Sequence, residues 1–172
     1  SIYGAIQEQI LLLENEGILY EIIPGVSSAF AASAALKREY TIPGITQTVI
    51  FTRMEGRTPV PKEETISALS RHRATMVIFL SVRMIEEVVR ELSSGYGWQT
   101  PVMVVYRASW PDEKIIRGRL CNIVDKVKDL DVTRQALIVV GEVFEDINHI
   151  GEKDIFSCLY NGNYSHMFRK VT

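Results

Sequence analysis

An arginine that ends an apolar run and opens a polar turn is the first candidate for chemistry in this sequence. The stretch is Val105–Leu120, VYRASWPDEKIIRGRL, in which Arg107 precedes an Ala-Ser-Trp-Pro-Asp turn and Arg117 and Arg119 follow in a second strand-like segment. A guanidinium group is a planar fork of N–H donors that suits carboxylate and phosphate groups. In open α/β sheets, ligand clefts lie outside the strand ends. The stretch therefore predicts a hairpin that faces a ligand.

Two more arginines, Arg53 and Arg57, lie in the polar loop RMEGRTPVP, which also follows an apolar segment. Together with Arg107 they suit a ligand rich in carboxylates or phosphates. The alternative is that each arginine is solvated surface charge, with Glu55 of the same loop as an ion-pair partner. The residues alone leave both interpretations open.

The segment Pro24-Gly25-Val26-Ser27-Ser28 combines a glycine turn with two hydroxyls before an alanine-rich run. A helix that begins here presents free backbone N–H groups and serine oxygens to a polar ligand. Most segments of this kind are simple helix caps, so Ser27 and Ser28 remain candidates for either role.

Motifs of common catalytic chemistry are missing from the sequence, which contains no GxGxxG, GxxxxGK[ST], HExxH or GxSxG. His72, His149 and His166 are scattered, and we expect no metal site. Cys121 and Cys158 form no CxxC pair, which favours two idle thiols in a reducing cytoplasm.

Hydrophobic patterning predicts an α/β fold in which helices and strands alternate. The predicted helices span residues 3–15, 29–37, 62–71, 82–92 and 122–130, and the predicted strands span residues 19–23, 46–52, 75–80, 102–107, 113–118 and 135–140. The expected caps are Gly17, Ser27 or Ser28, Ser81 and Asn122. Strands this apolar indicate a sheet with helices on both faces. The return from Arg107 to Glu113 is too short for a helical crossover, so we expect an antiparallel hairpin and a mixed sheet.

Length and composition limit the class of protein further. With 172 residues, of which 47% are hydrophobic, the chain supports one domain, or one domain and part of another. A net charge of −2 argues against a dedicated nucleic-acid binder, which is usually basic. The longest apolar runs fall far short of the roughly 20 residues that span a bilayer. We therefore expect neither nucleic acid nor membrane as a partner.

Several segments together resemble the tetrapyrrole methylases. They are SIYGAI, EIIPGVSSAFAASAAL, TQTVIFTRMEGRTPVP, ATMVIFLSV and VVYRASWPDEKIIRGRL, and the tail LYNGNYSHMFRK belongs with them. PGVSS is shared across the wider family, whereas TRMEGRTPVP and YRASWPDEKIIRG resemble the branch that methylates C11 of precorrin-4 or cobalt-precorrin-4 in cobalamin biosynthesis. The resemblance covers nearly the whole chain.

The resemblance implies the C-terminal domain of a two-domain fold, together with the end of the N-terminal domain. In the family, SIYGA follows a Gly-Asp-Pro, and a GxGPGD loop lies near the N-terminus. Neither precedes Ser1, so we expect a chain that lacks most of the N-terminal domain and is inactive alone. The expected divisions are a remnant of that domain at 1–24, a connecting helix at 25–42, the C-terminal methylase domain at 43–145 and a tail at 146–172.

The resemblance also implies the chemistry, which is transfer of a methyl group from S-adenosylmethionine to a ring carbon. Attack of a carbon on a sulfonium methyl needs in-line positioning and exclusion of water, but no metal and no covalent intermediate. The cofactor-binding residues carried over from the family motifs are Ile2, Ser27, Ser28, Leu80, Ala108 and Ala136. The arginines proposed for substrate carboxylates are Arg53, Arg57 and Arg107. No proton-removing base is identified.

Three alternatives stay open. The first is a sister methylase that acts at another ring carbon. The second is a methylase-like domain that modifies something else, such as a protein. The third is a non-enzymatic remnant that binds tetrapyrrole or only dimerises. The family implies a homodimer, for which the apolar face around Ala29–Leu36 is a candidate surface. The sequence does not separate a substrate that contains cobalt from a metal-free one.

Overall fold

A five-stranded mixed sheet forms the centre of the protein, whose computed structural model describes residues 2–146. Its strands are β1 (Val49–Arg53), β2 (Thr75–Phe79), β3 (Pro101–Tyr106), β4 (Lys114–Arg119) and β5 (Ala136–Val140). Their order across the sheet is β1-β2-β5-β3-β4. β1 and β2 are parallel, whereas β5 runs antiparallel to both β2 and β3, and β3 and β4 form an antiparallel hairpin. The predicted mixed sheet and hairpin are thus confirmed.

The side chains of the central strands alternate between two apolar clusters on opposite faces of the sheet. In β2, Met76 and Ile78 belong to one cluster, and Val77 and Phe79 to the other. This alternation follows from the two-residue repeat of a strand. Both β2 and β5 are buried along their whole length, which explains why their sequences are continuously apolar.

Helices cover both faces, as the patterning predicts. The first face carries α3 (Ile66–Ser70), α4 (Ile85–Leu92) and α5 (Ile123–Asp129), and the second carries α2 (Ser28–Leu36). In α4 the apolar positions Ile85, Val88, Val89 and Leu92 are all buried. In α2 the residues Ala29, Ala32 and Leu36 are buried within the chain, whereas Phe30 on the same helix is exposed, so the dimer surface expected around Ala29–Leu36 stays a prediction.

The helix α1 (Ile6–Asn15) precedes these elements and has no buried residue. Gly17, at φ +63°, lies just beyond its end, in the left-handed region expected of a glycine after a helix. The predicted strand at 19–23 is wrong, because these residues are exposed and pair with no strand among residues 2–146. In the described part of the chain, no helix is both long and apolar enough to cross a bilayer.

Two of the predicted caps have other roles. The side chain of Ser27 caps α2 by accepting from the Ala29 N–H at 3.3 Å. The Ser81 hydroxyl instead donates to the carbonyl of Phe79, and the Asn122 carboxamide oxygen accepts from the N–H of Arg119. Both residues occupy the N-cap position of the helical turn that follows, as predicted, but their side chains close turns at strand ends and make no capping hydrogen bond. The helix predicted at 62–71 is shorter, with a 3-10 turn before α3, and a 3-10 turn also precedes α4.

The divisions expected at 1–24, 25–42 and 43–145 stay predictions. The tail expected at 146–172 lies outside the described residues, apart from Asp146.

Candidate functional site

A cavity of about 430 Å³ opens at the ends of the three central strands, where β2 and β3 end and β5 begins. These three points meet because β5 is antiparallel to both neighbours, so that Ala136 at its start lies opposite Tyr106 at the end of β3. Phe79, Val105 and Leu137 supply apolar walls. The volume falls within the usual range for pockets that bind small molecules.

The backbone around the cavity adopts an uncommon conformation at three non-glycine residues. Leu80 has φ +55°, Arg107 +47° and Gln135 +55°, and all three line the cavity. Left-handed backbone costs a residue with a side chain roughly 1–2 kcal/mol, and such residues cluster at ligand sites. Leu80 is also 70% exposed, which is unusual for a leucine that directly follows a buried strand.

Five of the residues singled out by sequence meet in this cavity. They are Ser28, Leu80, Arg107, Ala108 and Ala136. Ser28 opens α2, and the two alanines leave space where larger side chains would fill the cavity. Ser27, which caps α2, is not among the residues that line it. The same is true of Ile2, Arg53 and Arg57.

The Arg107 guanidinium is held both by its own hairpin and by the segment before β5. Its Nε donates to the carboxamide oxygen of Gln135 at 2.8 Å, and its Nη1 pairs with Asp112 at 2.5 Å. The guanidinium carbon lies 5.1 Å and 5.3 Å from the ring centroids of Tyr106 and Trp110. Arg107 therefore fixes the hairpin turn beside Ala108, with Nη2 as the group not used in these bonds.

Arg53 organises the loop that follows β1. Its Nη1 donates to the carbonyl oxygens of Met54 and Thr58, and its Nη2 donates to that of Pro59. The guanidinium also lies 5.9 Å from the ring centroid of Tyr3. Burial raises the pKa of the Tyr3 hydroxyl, although the charge on Arg53 acts in the opposite direction.

The segment that contains Ile2 lies over the sheet next to the cavity wall. The ring of Tyr3 packs edge-to-face on Phe79, with centroids 5.5 Å apart. Phe79 in turn lines the cavity. Arg57 is exposed in the loop after β1.

Sequence reasoning missed several polar or aromatic residues that line the cavity, among them Arg83, Trp110, Thr133, Arg134 and Gln135. Trp110 belongs to the turn already noted, whereas Arg83 follows the end of β2 and Arg134 precedes β5. The signal that singled out Arg53 and Arg107, an arginine beside a strand end, would also have found these two arginines.

The lining of the cavity suits the binding and orientation of a ligand. The described residues that line it include no carboxylate, histidine, cysteine or tyrosine. Apolar walls with a few polar groups at the rim are typical of a site that positions a ligand and excludes water.

Comparisons of the sequence and of the fold with known proteins point to the same family. The family model of the tetrapyrrole (corrin/porphyrin) methylases matches residues 1–124. A protein from Methanocaldococcus jannaschii named cobalt-precorrin-4 C(11)-methyltransferase is 54% identical over 171 residues, which is 99% of this chain and 64% of the relative. The chain thus spans slightly less than two thirds of that relative's length.

Two solved structures have a similar fold. A cobalt precorrin-4 methyltransferase superposes with a TM-score of 0.81 at 46% identity, over 84% of this chain and 61% of that one. A uroporphyrin-III C-methyltransferase from Thermus thermophilus, solved with S-adenosylhomocysteine, superposes with a TM-score of 0.66 at 25% identity, over 83% and 61% of the two chains. The predicted α/β methylase fold is confirmed.

Proposed function

Since this chain belongs to the tetrapyrrole methylase family, we propose that it takes part in methylating C11 of precorrin-4 or cobalt-precorrin-4 with S-adenosylmethionine as methyl donor. The observation that carries the proposal is the cavity where β2, β3 and β5 meet, because it gathers Ser28, Leu80, Ala108 and Ala136. The similarity to C11-methyltransferases, which is much higher than the similarity to the uroporphyrin-III enzyme, supports the choice of ring carbon.

The cavity fits such a cofactor in size and lining. S-adenosylmethionine, when bound, supplies an electrophilic methyl group on a positively charged sulfur. We propose that Ala108 and Ala136 let the ligand approach the backbone, that Leu80 packs against it, and that Ser28 offers a hydroxyl at the start of α2. Ile2 and Ser27 stay proposed contacts, although neither lines the cavity.

The work of this chain in the reaction is to orient the ligands and exclude water. The apolar walls formed by Phe79, Val105 and Leu137 keep the reacting atoms from water, which favours transfer to carbon over hydrolysis. Holding donor and acceptor in line lowers the barrier by fixing their relative motion in advance. No described side chain of the cavity serves as a base, so proton removal is not assigned.

Substrate carboxylates are proposed to meet Arg53, Arg57 and Arg107. Arg53 and Arg107 have fewer N–H groups available to a substrate than the sequence suggested, because most of each guanidinium already donates hydrogen bonds within the chain. Nε of Arg53 and Nη2 of Arg107 make none of the hydrogen bonds recorded among residues 2–146. Arg57 is exposed in its loop.

Calorimetry with S-adenosylhomocysteine tests the cofactor assignment directly. We expect saturable binding of one ligand per chain, and no heat at high micromolar ligand would contradict the assignment. Because the chain alone is expected to be inactive, the full-length protein is then incubated with S-adenosylmethionine and precorrin-4 or cobalt-precorrin-4, which should raise the mass of the tetrapyrrole by one methyl group. A position-labelled substrate distinguishes C11 from another ring carbon, and binding without methyl transfer would indicate a non-enzymatic role.

We also propose that the protein is a cytoplasmic homodimer. Apolar side chains on residues 11–26, among them Leu12, Leu19, Ile23 and Val26, are exposed and support a contact surface. Light scattering at micromolar concentration should give twice the chain mass. A monomer mass would contradict the dimer, and recovery with the membrane fraction would contradict the compartment.

A further inference from the structure

The charged side chains with which residues 2–146 line the cavity are all positive. Arg83, Arg107 and Arg134 line it, and no aspartate or glutamate does so among the described residues. Arg107 is balanced by Asp112. Neither Arg83 nor Arg134 forms an ion pair with any carboxylate in the described range 2–146. The cavity therefore carries two positive charges that the described part of the protein does not neutralise by contact.

Arg83 is partly fixed in place. Its Nε donates to the carbonyl oxygen of Thr133 at 3.1 Å, which ties the turn after β2 to the segment before β5. This bond leaves both Nη groups to donate elsewhere. Glu86, Glu87 and Asp131 lie with Arg83 around a second, neighbouring pocket, but none of these carboxylates forms an ion pair with it, and Glu86 is paired with Lys128. A guanidinium oriented through Nε presents its two Nη groups to a carboxylate or phosphate in a fixed direction.

The positive charge on the proposed cofactor limits which of its groups can lie beside these arginines. A sulfonium ligand is itself cationic at sulfur, so arginines in the same cavity favour binding only where they face a negative group. Arg83 and Arg134 are both exposed, so water weakens the repulsion and direct contact with a carboxylate is what would stabilise the complex. Both S-adenosylmethionine, at its methionine end, and the tetrapyrrole carry carboxylates.

We propose that Arg83 and Arg134 form a carboxylate-binding pair at the rim of the cavity. This assignment rests on the proposed function. It goes beyond that function by naming two arginines that neither the sequence motifs nor the family resemblance singled out. The carboxylate belongs either to the methionine end of the cofactor or to the tetrapyrrole, and binding measurements separate the two sources.

The test uses Arg83→Met, Arg134→Met and the double variant, with three probes. The probes are S-adenosylhomocysteine, methylthioadenosine, which lacks the amino-acid carboxylate, and uroporphyrin, a stable tetrapyrrole polycarboxylate. Hydrogen bonds between charged groups lead us to expect about 10- to 100-fold weaker binding of the carboxylate probe that the arginines meet. Methylthioadenosine affinity should be unchanged. Weaker S-adenosylhomocysteine binding identifies the cofactor carboxylate, and weaker uroporphyrin binding identifies the substrate.

Arg90→Met is the matched control, because Arg90 is an exposed arginine on α4 that does not line the cavity. Thermal unfolding of every variant checks that the fold is kept. Equal affinity of the double variant and the unsubstituted protein for both carboxylate probes overturns the carboxylate pair while leaving the proposed function intact. Failure of the unsubstituted protein to bind any probe overturns the proposed function, and the pair with it.

Discussion

The Ser81 hydroxyl accepts a hydrogen bond from the backbone N–H of Met54 at 2.8 Å and donates one to the carbonyl of Phe79. Ser81 has no exposed surface. One buried side chain thus joins the start of the loop after β1 to the turn in which Leu80 enters the cavity.

Replacing this hydroxyl should affect stability and binding together. In Ser81→Ala the partly buried N–H of Met54 and the carbonyl of Phe79 each lose a hydrogen-bond partner, and we expect the free energy of unfolding to fall by about 1–3 kcal/mol. Affinity for S-adenosylhomocysteine should also fall, because Leu80 is no longer held from both sides. Urea unfolding and calorimetry measure the two effects. Ser93→Ala, which removes an exposed hydroxyl bonded to Arg90, is the control and should change neither.

Filling the cavity should block the ligand without unfolding the protein. Ala108→Trp places a large side chain where Ala108 lines the cavity, and we expect loss of S-adenosylhomocysteine binding with a circular dichroism spectrum like that of the unsubstituted protein. Ala34→Trp makes the same change at an exposed position on α2 and should bind normally. Unchanged affinity in Ala108→Trp would remove Ala108 from the site.

The charge partner of Arg107 offers a test of its proposed contact with substrate. Asp112→Asn removes the carboxylate but leaves the bond from Arg107 to Gln135. Because the ion pair is partly exposed, the loss of stability should be at most about 1 kcal/mol. Binding of uroporphyrin should strengthen, since the positive charge on Arg107 is no longer balanced. Weaker binding would mean that Arg107 acts only by holding the hairpin.

Gly95 lies too close to α3 for any other residue. A Cβ built there would be 2.3 Å from both the carbonyl carbon and the carbonyl oxygen of Ser70. Gly95→Ala must therefore shift the backbone, and we expect a loss of about 1–3 kcal/mol in the free energy of unfolding. At Gly97 a Cβ would meet nothing within 4 Å, so Gly97→Ala should stay within about 0.5 kcal/mol. Equal effects at both positions would contradict the steric explanation.

Two buried tyrosines should make the protein sensitive to alkali. Burial raises the pKa of Tyr40 and of Tyr96 well above 10.0, the ordinary value. Their hydroxyls donate to the backbone carbonyls of Ala29 and Ala74. Above pH 10 the unfolded chain releases these protons and the folded chain keeps them, so stability is complete below pH 10 and falls as the pH rises.

Each of these tyrosines should contribute about 1.4 kcal/mol per pH unit to that fall. Tyr40→Phe and Tyr96→Phe should each cost about 1 kcal/mol near pH 8, where the hydrogen bond is lost, and flatten the decline above pH 10. Urea unfolding between pH 8 and 11 measures both. A decline as steep as in the unsubstituted protein would show that these hydroxyls do not cause it.

The strands of the sheet could be predicted because each one is marked by a local apolar pattern. The site could not be predicted in the same way, because it depends on the order of the strands in the sheet. The apolar runs that became β2 and β5 are bounded by polar turns, so their positions follow from the chain itself. The segment at 19–23 has a similar apolar pattern but forms no strand. A strand also needs a neighbouring strand to pair with, and none is present for this segment among residues 2–146.

Leu80 and Ala136 show the limit most clearly. Each looks like a core residue in the sequence, and only the family resemblance assigned them to the cofactor. Ala136 is indeed buried, but Leu80 is exposed in a left-handed conformation that no local pattern indicates. Arg83 and Arg134 also lie beside strand ends, but the sequence does not show that they line one cavity, because β5 comes to lie between β2 and β3 only in the folded sheet.

That insertion also sets the order in which the site is made during synthesis. β5 is the last strand of the described sheet along the chain, yet it lies at the centre of the sheet. A nascent chain that has reached only β4 has the hairpin, Arg107 and Leu80, but not the strand that joins them into one cavity. The ligand proposed for this cavity is therefore expected to bind, and to stabilise the protein, only after β5 has left the ribosome and been added between its neighbours.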